Sequence, residues 1–598
     1  MALRYLAIFT ENKGLRRRLE AWVLERTSLS LVANAASLLF VSEEGGFIPC
    51  GKYGGLLGHV FTKADRPVPI SSFSDTDCEI IERSAGDHLL KHVWGGYVAI
   101  LKGKRPGDWS ILRDPSGALP CYFIEFESAL IVVSEVETAF DAGFISGEIN
   151  WNFLGTTVLC NGPPARETGL AGVSELLAGW RLSWAGSQVE LEPWWSPWDY
   201  TDDNMQSVSA LTERLRSAVT GCVGAWGTSF DHGLLGVSGG LDSSIVAACL
   251  KKANADFTCF TMATNEPFGD ERGYARILCE HLDIGLIERQ YDVDAVNIRT
   301  STSLHLPCPG IPAFGQSNLA TRASIAETGG VDVFFSGIGG DNVFCLTMSA
   351  TPILDSYLRT GLSGQTWRTV KDICRLTRCS LWDAITAART RARAGGNAYE
   401  WKLDTRLLNA DFFRGHKVEM EPGSWLWPPE SVLPGKAVHV ARVLGLQYPN
   451  DLFPRSQAGP QIQPLFSQPV VELCLSVPTW TWCAGGVNRS LARQAFADLL
   501  PKSIVDRQSK GGPDSFAYDV ALQNLDQIRE ALLEGVLASH NLLDRPALEV
   551  ALRDSSRFAK GDHLRFLELT EAEAWVSGWR DRSVSKQSSA LSRTSRSS

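Results

Sequence analysis

Ser238-Gly239-Gly240-Leu241-Asp242-Ser243-Ser244 places two glycines, three hydroxyls and one carboxylate within seven residues. Glycines let the backbone approach a ligand closely and adopt positive φ. The first amides of a following helix have no internal partner and carry the positive end of the helix dipole. A phosphate group fits such a place. Ser238, Ser243 and Ser244 can add hydroxyl donors. Asp242 is wrong as a direct phosphate partner and right as a ligand for the Mg²⁺ that accompanies a nucleotide. No Gly-Lys-Ser/Thr follows, so the turn is not the phosphate loop of kinases and GTPases.

A second stretch has the same grammar. Val331-Asp332-Val333-Phe334-Phe335 leads into Ser336-Gly337-Ile338-Gly339-Gly340-Asp341-Asn342. A buried strand again runs into a glycine-rich turn carrying an acidic residue. If the two turns face each other at one sheet edge, Asp242 and Asp341 flank one Mg²⁺–pyrophosphate.

The surrounding pattern supplies the elements that must position these turns. Gly233 to Val237 is a short apolar run with the look of a buried strand, and Ser244 to Leu250 reads as a helix. Ser207–Val223 predicts a helix, Phe257–Met262 a strand, and Asp270–Glu280 a helix opening on acidic residues. This alternation implies a doubly wound parallel sheet with ligands at the carboxyl ends of its strands. Before it, residues 1–200 hold repeated short strands, among them Tyr97–Leu101, Trp109–Leu112 and Ala129–Val133, as in a sandwich or layered α+β domain. Residues 186–208, with Glu192-Pro193-Trp194-Trp195-Ser196-Pro197-Trp198, read as a linker whose tryptophans pack at a domain junction. Residues 346–460 predict helices and a substrate-facing surface. The Ser-rich residues 583–598 predict a disordered tail.

Composition bounds the rest. The 598 residues are 44% hydrophobic and 21% charged, as in ordinary globular chains. A net charge of −10 argues against nonspecific binding of nucleic acid or of an anionic membrane. No apolar run reaches the ~20 residues of a membrane helix. Arg16-Arg17-Arg18 follows an apolar start rather than preceding one, so it reads as a solvated helix face and not as a signal sequence. The 14 scattered cysteines, with no C-x-x-C, predict reduced thiols of a cytoplasmic protein without structural zinc.

Several segments together carry a family resemblance. Gly95-Gly96-Tyr97-Val98-Ala99, Leu112-Arg113-Asp114-Pro115-Ser116-Gly117-Ala118-Leu119-Pro120-Cys121-Tyr122 and Ser134-Glu135 are similar to the glutaminase domain of asparagine synthetases. The 238–244 and 336–342 turns resemble that superfamily's pyrophosphate loop and second motif. Gln463-Pro464-Leu465-Phe466, Asn488-Arg489-Ser490 and Asp506-Arg507-Gln508-Ser509-Lys510-Gly511-Gly512 look like the end of the same synthetase domain. The resemblance implies a glutaminase-like, Ntn-type α+β domain over 1–200. An ATP-pyrophosphatase α/β domain with a doubly wound parallel sheet and added helices then spans 205–580. It implies ATP and Mg²⁺, with the pyrophosphate on 238–244, Val237, Met262, Ser336 and Gly337 bordering adenine or ribose, and Asp242 and Asp341 on the metal. Lys510 is the best match to the family's lysine, where a fixed cation stabilises charge on the acyl oxygen and the phosphates.

Departures from the family narrow the member. A working glutaminase of this kind has a cysteine directly after the initiator methionine; here Ala2 stands there, and the first cysteine is Cys50. Where the synthetases carry Glu and β-lactam synthetases a catalytic Tyr, this chain has Ile338. The Gly339-Gly340-Asp341-Asn342 ending resembles lasso-peptide cyclases, the macrolactam synthetases. That branch implies an AMP-forming ligase acting on a ribosomal precursor peptide, with a leader peptidase as partner and no nucleic acid or membrane involved. An amide ligase for a small carboxylate, ammonia-dependent or β-lactam-synthetase-like, and a non-catalytic scaffold are the alternatives. Product analysis with free amino acids and ammonia separates the first of them.

Overall fold

The computed structural model describes residues 2–594 apart from 36, 44, 104, 106, 161–164, 187, 204, 267–268, 394–401, 415–424, 426, 448–450, 510 and 554–560. Its first twelve strands are β1 Tyr5–Phe9, β2 Ser30–Ala35, β3 Leu38–Ser42, β4 Phe47–Cys50, β5 Gly54–Thr62, β6 Val93–Lys102, β7 Trp109–Arg113, β8 Tyr122–Phe126, β9 Ala129–Val133, β10 Ser174–Glu175, β11 Trp180–Ala185 and β12 Gln188–Pro193. They form two six-stranded antiparallel sheets, ordered β10-β8-β9-β1-β3-β2 and β12-β11-β7-β6-β5-β4. The period of two explains the layering. Tyr5, Ala7 and Phe9 of β1 pack between the sheets with Val98, Ile100 and Ile111, while Leu6 and Ile8 face the helices on the other side.

The segment read as a linker is in part a strand. β12 pairs along the whole of β11, with Leu182 opposite Leu191 and Trp184 opposite Val189. As a sheet edge it is largely solvated, and its alternating acids and prolines hide it from a reading of composition. The junction itself is built of tryptophans, as expected. The Trp195 indole donates to Glu472 at 3.1 Å, Lys63 pairs with the same carboxylate at 2.6 Å, and Trp226 lies edge-on to Phe61 while donating to Ser467 at 3.1 Å.

Beyond the junction, the helix Val208–Gly227 buries Leu211, Leu215, Val219, Val223 and Trp226, one stripe at helical spacing. Five parallel strands follow: β13 Gly233–Gly236, β14 Phe257–Ala263, β15 Leu286–Gln290, β16 Val333–Phe335 and β17 Gln461–Ile462. Their order is β15-β14-β13-β16-β17, so the chain reverses direction across the sheet between β13 and β16. In open α/β sheets the crevice at that reversal is the ligand site. Residues 346–460 include the helices Thr351–Thr360, Gly364–Thr377, Leu381–Arg393 and Pro434–Leu444. All 14 cysteines are free thiols. Among the described residues no helix is long and apolar enough to cross a membrane.

The final helix runs from His563 to Thr594, so 583–594 are helical where a disordered tail over 583–598 is expected, and 595–598 lie outside the described residues. Arg582 pairs with Glu137 at 2.9 Å, Ser583 donates to the Ser146 carbonyl at 3.0 Å, and Lys586 reaches the Phe140 carbonyl. Polar contacts to the N-terminal layers thus extend a helix that a Ser-rich composition does not announce. The same helix buries Glu571, which accepts a hydrogen bond from Ser301 at 2.5 Å; burial pushes its carboxyl up to about 8. A carboxyl raised on folding stabilises the protonated side, so stability is lost as pH climbs from the ordinary carboxyl range towards 8. Glu571→Gln is expected to raise the urea midpoint more at pH 8 than at pH 5. An equal gain at both pH values would contradict the raised carboxyl.

Candidate functional site

The two glycine-rich turns do meet, at the carboxyl ends of β13 and β16. After β13, Val237, Ser238 and Gly239 lead to Gly240, which caps the helix Leu241–Lys252. Gly239 has φ +61°, and a Cβ there would sit 2.2 Å from Cβ of Tyr274. After β16, Ser336-Gly337-Ile338-Gly339 leads into the short helix Gly340–Val343. The turns touch through their glycines. A Cβ on Gly337 would lie 2.4 Å from the Ser243 amide nitrogen, and one on Gly340 would lie 2.3 Å from the Asp242 carboxyl carbon. Only glycine allows so close an approach of two backbones.

Asp242 and Asp341 share one cation. Arg489 Nη1 stands 2.9 and 2.8 Å from the two Asp242 oxygens and 2.6 Å from Oδ1 of Asp341. Arg489 belongs to the Asn488-Arg489-Ser490 segment, and sequence alone gives it no role. Its backbone has φ +51°, an uncommon conformation for a non-glycine residue and one that clusters at functional sites. Arg493 holds that turn, donating to the Asn488 carbonyl at 2.9 Å and to the carbonyl of Arg507, also at 2.9 Å.

A strap from the C-terminal segment fixes the phosphate loop. Arg507 donates to the Ser238 carbonyl at 2.9 Å and to Glu271 at 2.6 Å, and its guanidinium lies 3.9 Å from the centre of the Tyr274 ring. Glu271 also accepts from the Gly511 amide at 3.0 Å. Glu271 and Arg507 were both missed from sequence, since nothing local marks a pair separated by so much chain.

These elements enclose a cavity of about 550 Å³. Val237, Ser238, Gly240, Asp242, Ser243, Met262, Ser336, Gly337 and Asp341 line it, so most of the expected site residues are brought together. Gly239 and Ser244 are not part of its lining. Gly239 packs on Tyr274, and Ser244 is fully buried with its hydroxyl donated to the Gly240 carbonyl at 2.8 Å. That bond uses the hydroxyl within the first helical turn, correcting the expectation of a free donor there. Ser336 is buried and its hydroxyl has no partner among the described residues. Lys510 lies outside the described residues; Ser509 beside it lines the cavity. Ile338 lines the cavity too and is exposed.

The arrangement suits a nucleotide with its metal. The helix start Leu241–Ser243 lines the cavity, and two carboxylates converge on one cation position. Asp242 and Asp341 would hold Mg²⁺, which when bound neutralises phosphate charge. Ala2 is buried, and its amide nitrogen donates to the carbonyls of Arg455 and Ala458 at 3.1 and 2.8 Å. No thiol or hydroxyl stands at that position.

Comparison with known proteins follows the same division. Residues 232–422 and 461–577, together just over half of the chain, match the family described as asparagine synthase. Residues 68–195 match the glutamine amidotransferase domain. No curated protein matches. Among solved structures, one titled as the allosteric regulatory enzyme of purine biosynthesis is 11% identical, with 48% of this chain and 75% of that one covered and a TM-score of 0.19. Glutamine phosphoribosylpyrophosphate amidotransferase from B. subtilis, complexed with ADP and GMP, is 10% identical, with 56% and 90% covered and a TM-score of 0.19. Scores this low carry neither fold nor function across.

Proposed function

Because this chain belongs to the asparagine synthase family, whose members are ATP-dependent amide-forming ligases, we propose that it is a lasso-peptide cyclase. ATP binds with its pyrophosphate on 238–244 and its α-phosphate facing the cavity. A side-chain carboxylate of Asp or Glu in a precursor peptide attacks the α-phosphate, and the α–β bridging bond breaks. Acyl-AMP and pyrophosphate result. The N-terminal amine of the same peptide then attacks the acyl carbon, loses a proton and expels AMP. An isopeptide-closed ring is left, one water lighter than the linear peptide.

The observation that carries this reading is Ala2. With no nucleophile at that position, the N-terminal layers lack the group that draws ammonia from glutamine, which favours an amine carried by the substrate and leaves free ammonia as the competing source. Ile338 supports it: an apolar side chain at the cavity wall can neither deprotonate nor polarise a small substrate, which leaves positioning as the main contribution. The Asn342 amide donates to the Arg442 carbonyl at 2.6 Å and thereby ties the second motif to the helix Pro434–Leu444. A leader peptidase acts first, because the amine must be exposed.

Nucleotide analysis tests the adenylation step. With ATP, Mg²⁺ and leaderless precursor, phosphorus NMR is expected to show AMP and pyrophosphate in equal amounts, and added glutamine is expected to release no glutamate. ADP and phosphate would overturn adenylation. AMP formed with free amino acids plus ammonia, and not with peptide, would move the substrate to a small carboxylate.

A further inference from the structure

The cavity wall also holds a cation, Arg322, one of whose guanidinium nitrogens is sealed from solvent. Arg322 sits on the helix Gln316–Gly329, and its guanidinium lies 4.9 Å from the centre of the Phe260 ring, beside Gly236 at the end of β13. Nε donates to Asn318 one turn earlier, at 2.8 Å. Nη1 is sealed from solvent without a partner among the described residues, and Nη2 lies next to Gly236. Among the described residues no carboxylate pairs with Arg322. Burial lowers its ordinary value to about 10, with Tyr291 acting the other way. A guanidinium nitrogen sealed from water without an acceptor is costly unless something else supplies one.

The location says what that acceptor is. Arg322, Asn318 and Tyr291 line the cavity together with Phe260 and Met262, on the β14 side of the phosphate loop. The phosphate end of a nucleotide lies at Ser238–Ser243, across β13. A nucleotide anchored there extends its base over Gly236 and Val237 towards β14. The wall it meets combines Phe260 and Met262 with the polar groups of Thr261, Tyr291 and Asn318, and this guanidinium is its one cation among the described residues. We infer that Arg322 is the residue that reads the nucleobase, donating from its guanidinium to a ring nitrogen of adenine, with Asn318 fixing the orientation of the fork. This rests on the nucleotide site proposed above and adds the base contact to it.

Deaza analogues test the contact, since each removes one ring acceptor and leaves the shape. Binding of ATP, 1-deaza-ATP, 3-deaza-ATP and 7-deaza-ATP, each with Mg²⁺, is measured by calorimetry on the full chain and on Arg322→Met, with Arg322→Gln as a second variant that retains a donor. One analogue is expected to bind the wild type roughly ten- to a hundredfold more weakly than ATP, the range for a hydrogen bond to a charged group. In Arg322→Met that same analogue and ATP are expected to bind alike, with Arg322→Gln in between. Equal analogue penalties in wild type and variant, or no penalty for any analogue, would overturn the base contact while leaving the nucleotide site standing. Unchanged ATP binding in Arg322→Met with a raised KM for the acyl substrate would reassign the cation to that substrate. A wild type that binds no nucleotide would instead remove the site itself.

Discussion

Gly337→Ala is expected to abolish most of the turnover and to lower stability by about 1–3 kcal/mol, the range for overpacking a close contact. The added Cβ would meet the Ser243 amide nitrogen at 2.4 Å, Cα of Ser243 at 2.7 Å and the Asp242 carbonyl carbon at 2.9 Å. All three atoms are backbone, so no side chain can swing aside. The two turns must separate, and the helix start proposed to receive the phosphates moves away from Asp341. A displacement of about 1 Å at such a site lowers rate by roughly a hundredfold. Gly273→Ala is the control. It lies on the helix Arg272–Leu282 close to the phosphate loop, and a Cβ there meets nothing within 4 Å. It is expected to leave turnover unchanged and to raise stability by up to about 1 kcal/mol through helix propensity. Chemical denaturation and steady-state rates on both variants check this, and wild-type activity in Gly337→Ala would refute the contact between the turns.

Asp242→Asn is expected to leave the fold intact and reduce kcat/KM by roughly a hundredfold or more, as when one preorganised charge contact is removed from a reacting centre. Asparagine keeps the shape and removes the charge. Arg489 still has Asp341 at 2.6 Å, so the site does not lose its internal ion pairing. The informative readout is the Mg²⁺ titration of the residual activity, whose midpoint is expected to rise. Unchanged turnover and an unchanged Mg²⁺ midpoint would take Asp242 out of the cation site. Circular dichroism melting confirms that any loss is chemical rather than structural.

What sequence shows and hides here divides by range. The turns at 238–244 and 336–342 are legible because each is a local device: apolar strand, glycine turn, helix start. Their meeting follows from the strand order, since β13 and β16 are neighbours where the chain reverses across the sheet. Arg489 is not legible, because its role comes from lying between carboxylates contributed by two other segments. The same holds for Arg507 on Ser238 and Glu271, and for Arg322 against Phe260. β12 is hidden by the polar composition that an edge strand tolerates. The end of the last helix is hidden because serines say nothing about partners such as Ser146 and Glu137.

The most direct test of the central claim is mass spectrometry of a leaderless precursor peptide after incubation with this protein, ATP and Mg²⁺, with AMP assayed in parallel. The account predicts a peptide one water lighter, with one AMP formed for each ring closed. A peptide of unchanged mass in the presence of its leader peptidase, with no AMP formed, would contradict it and leave a scaffold that kept the fold.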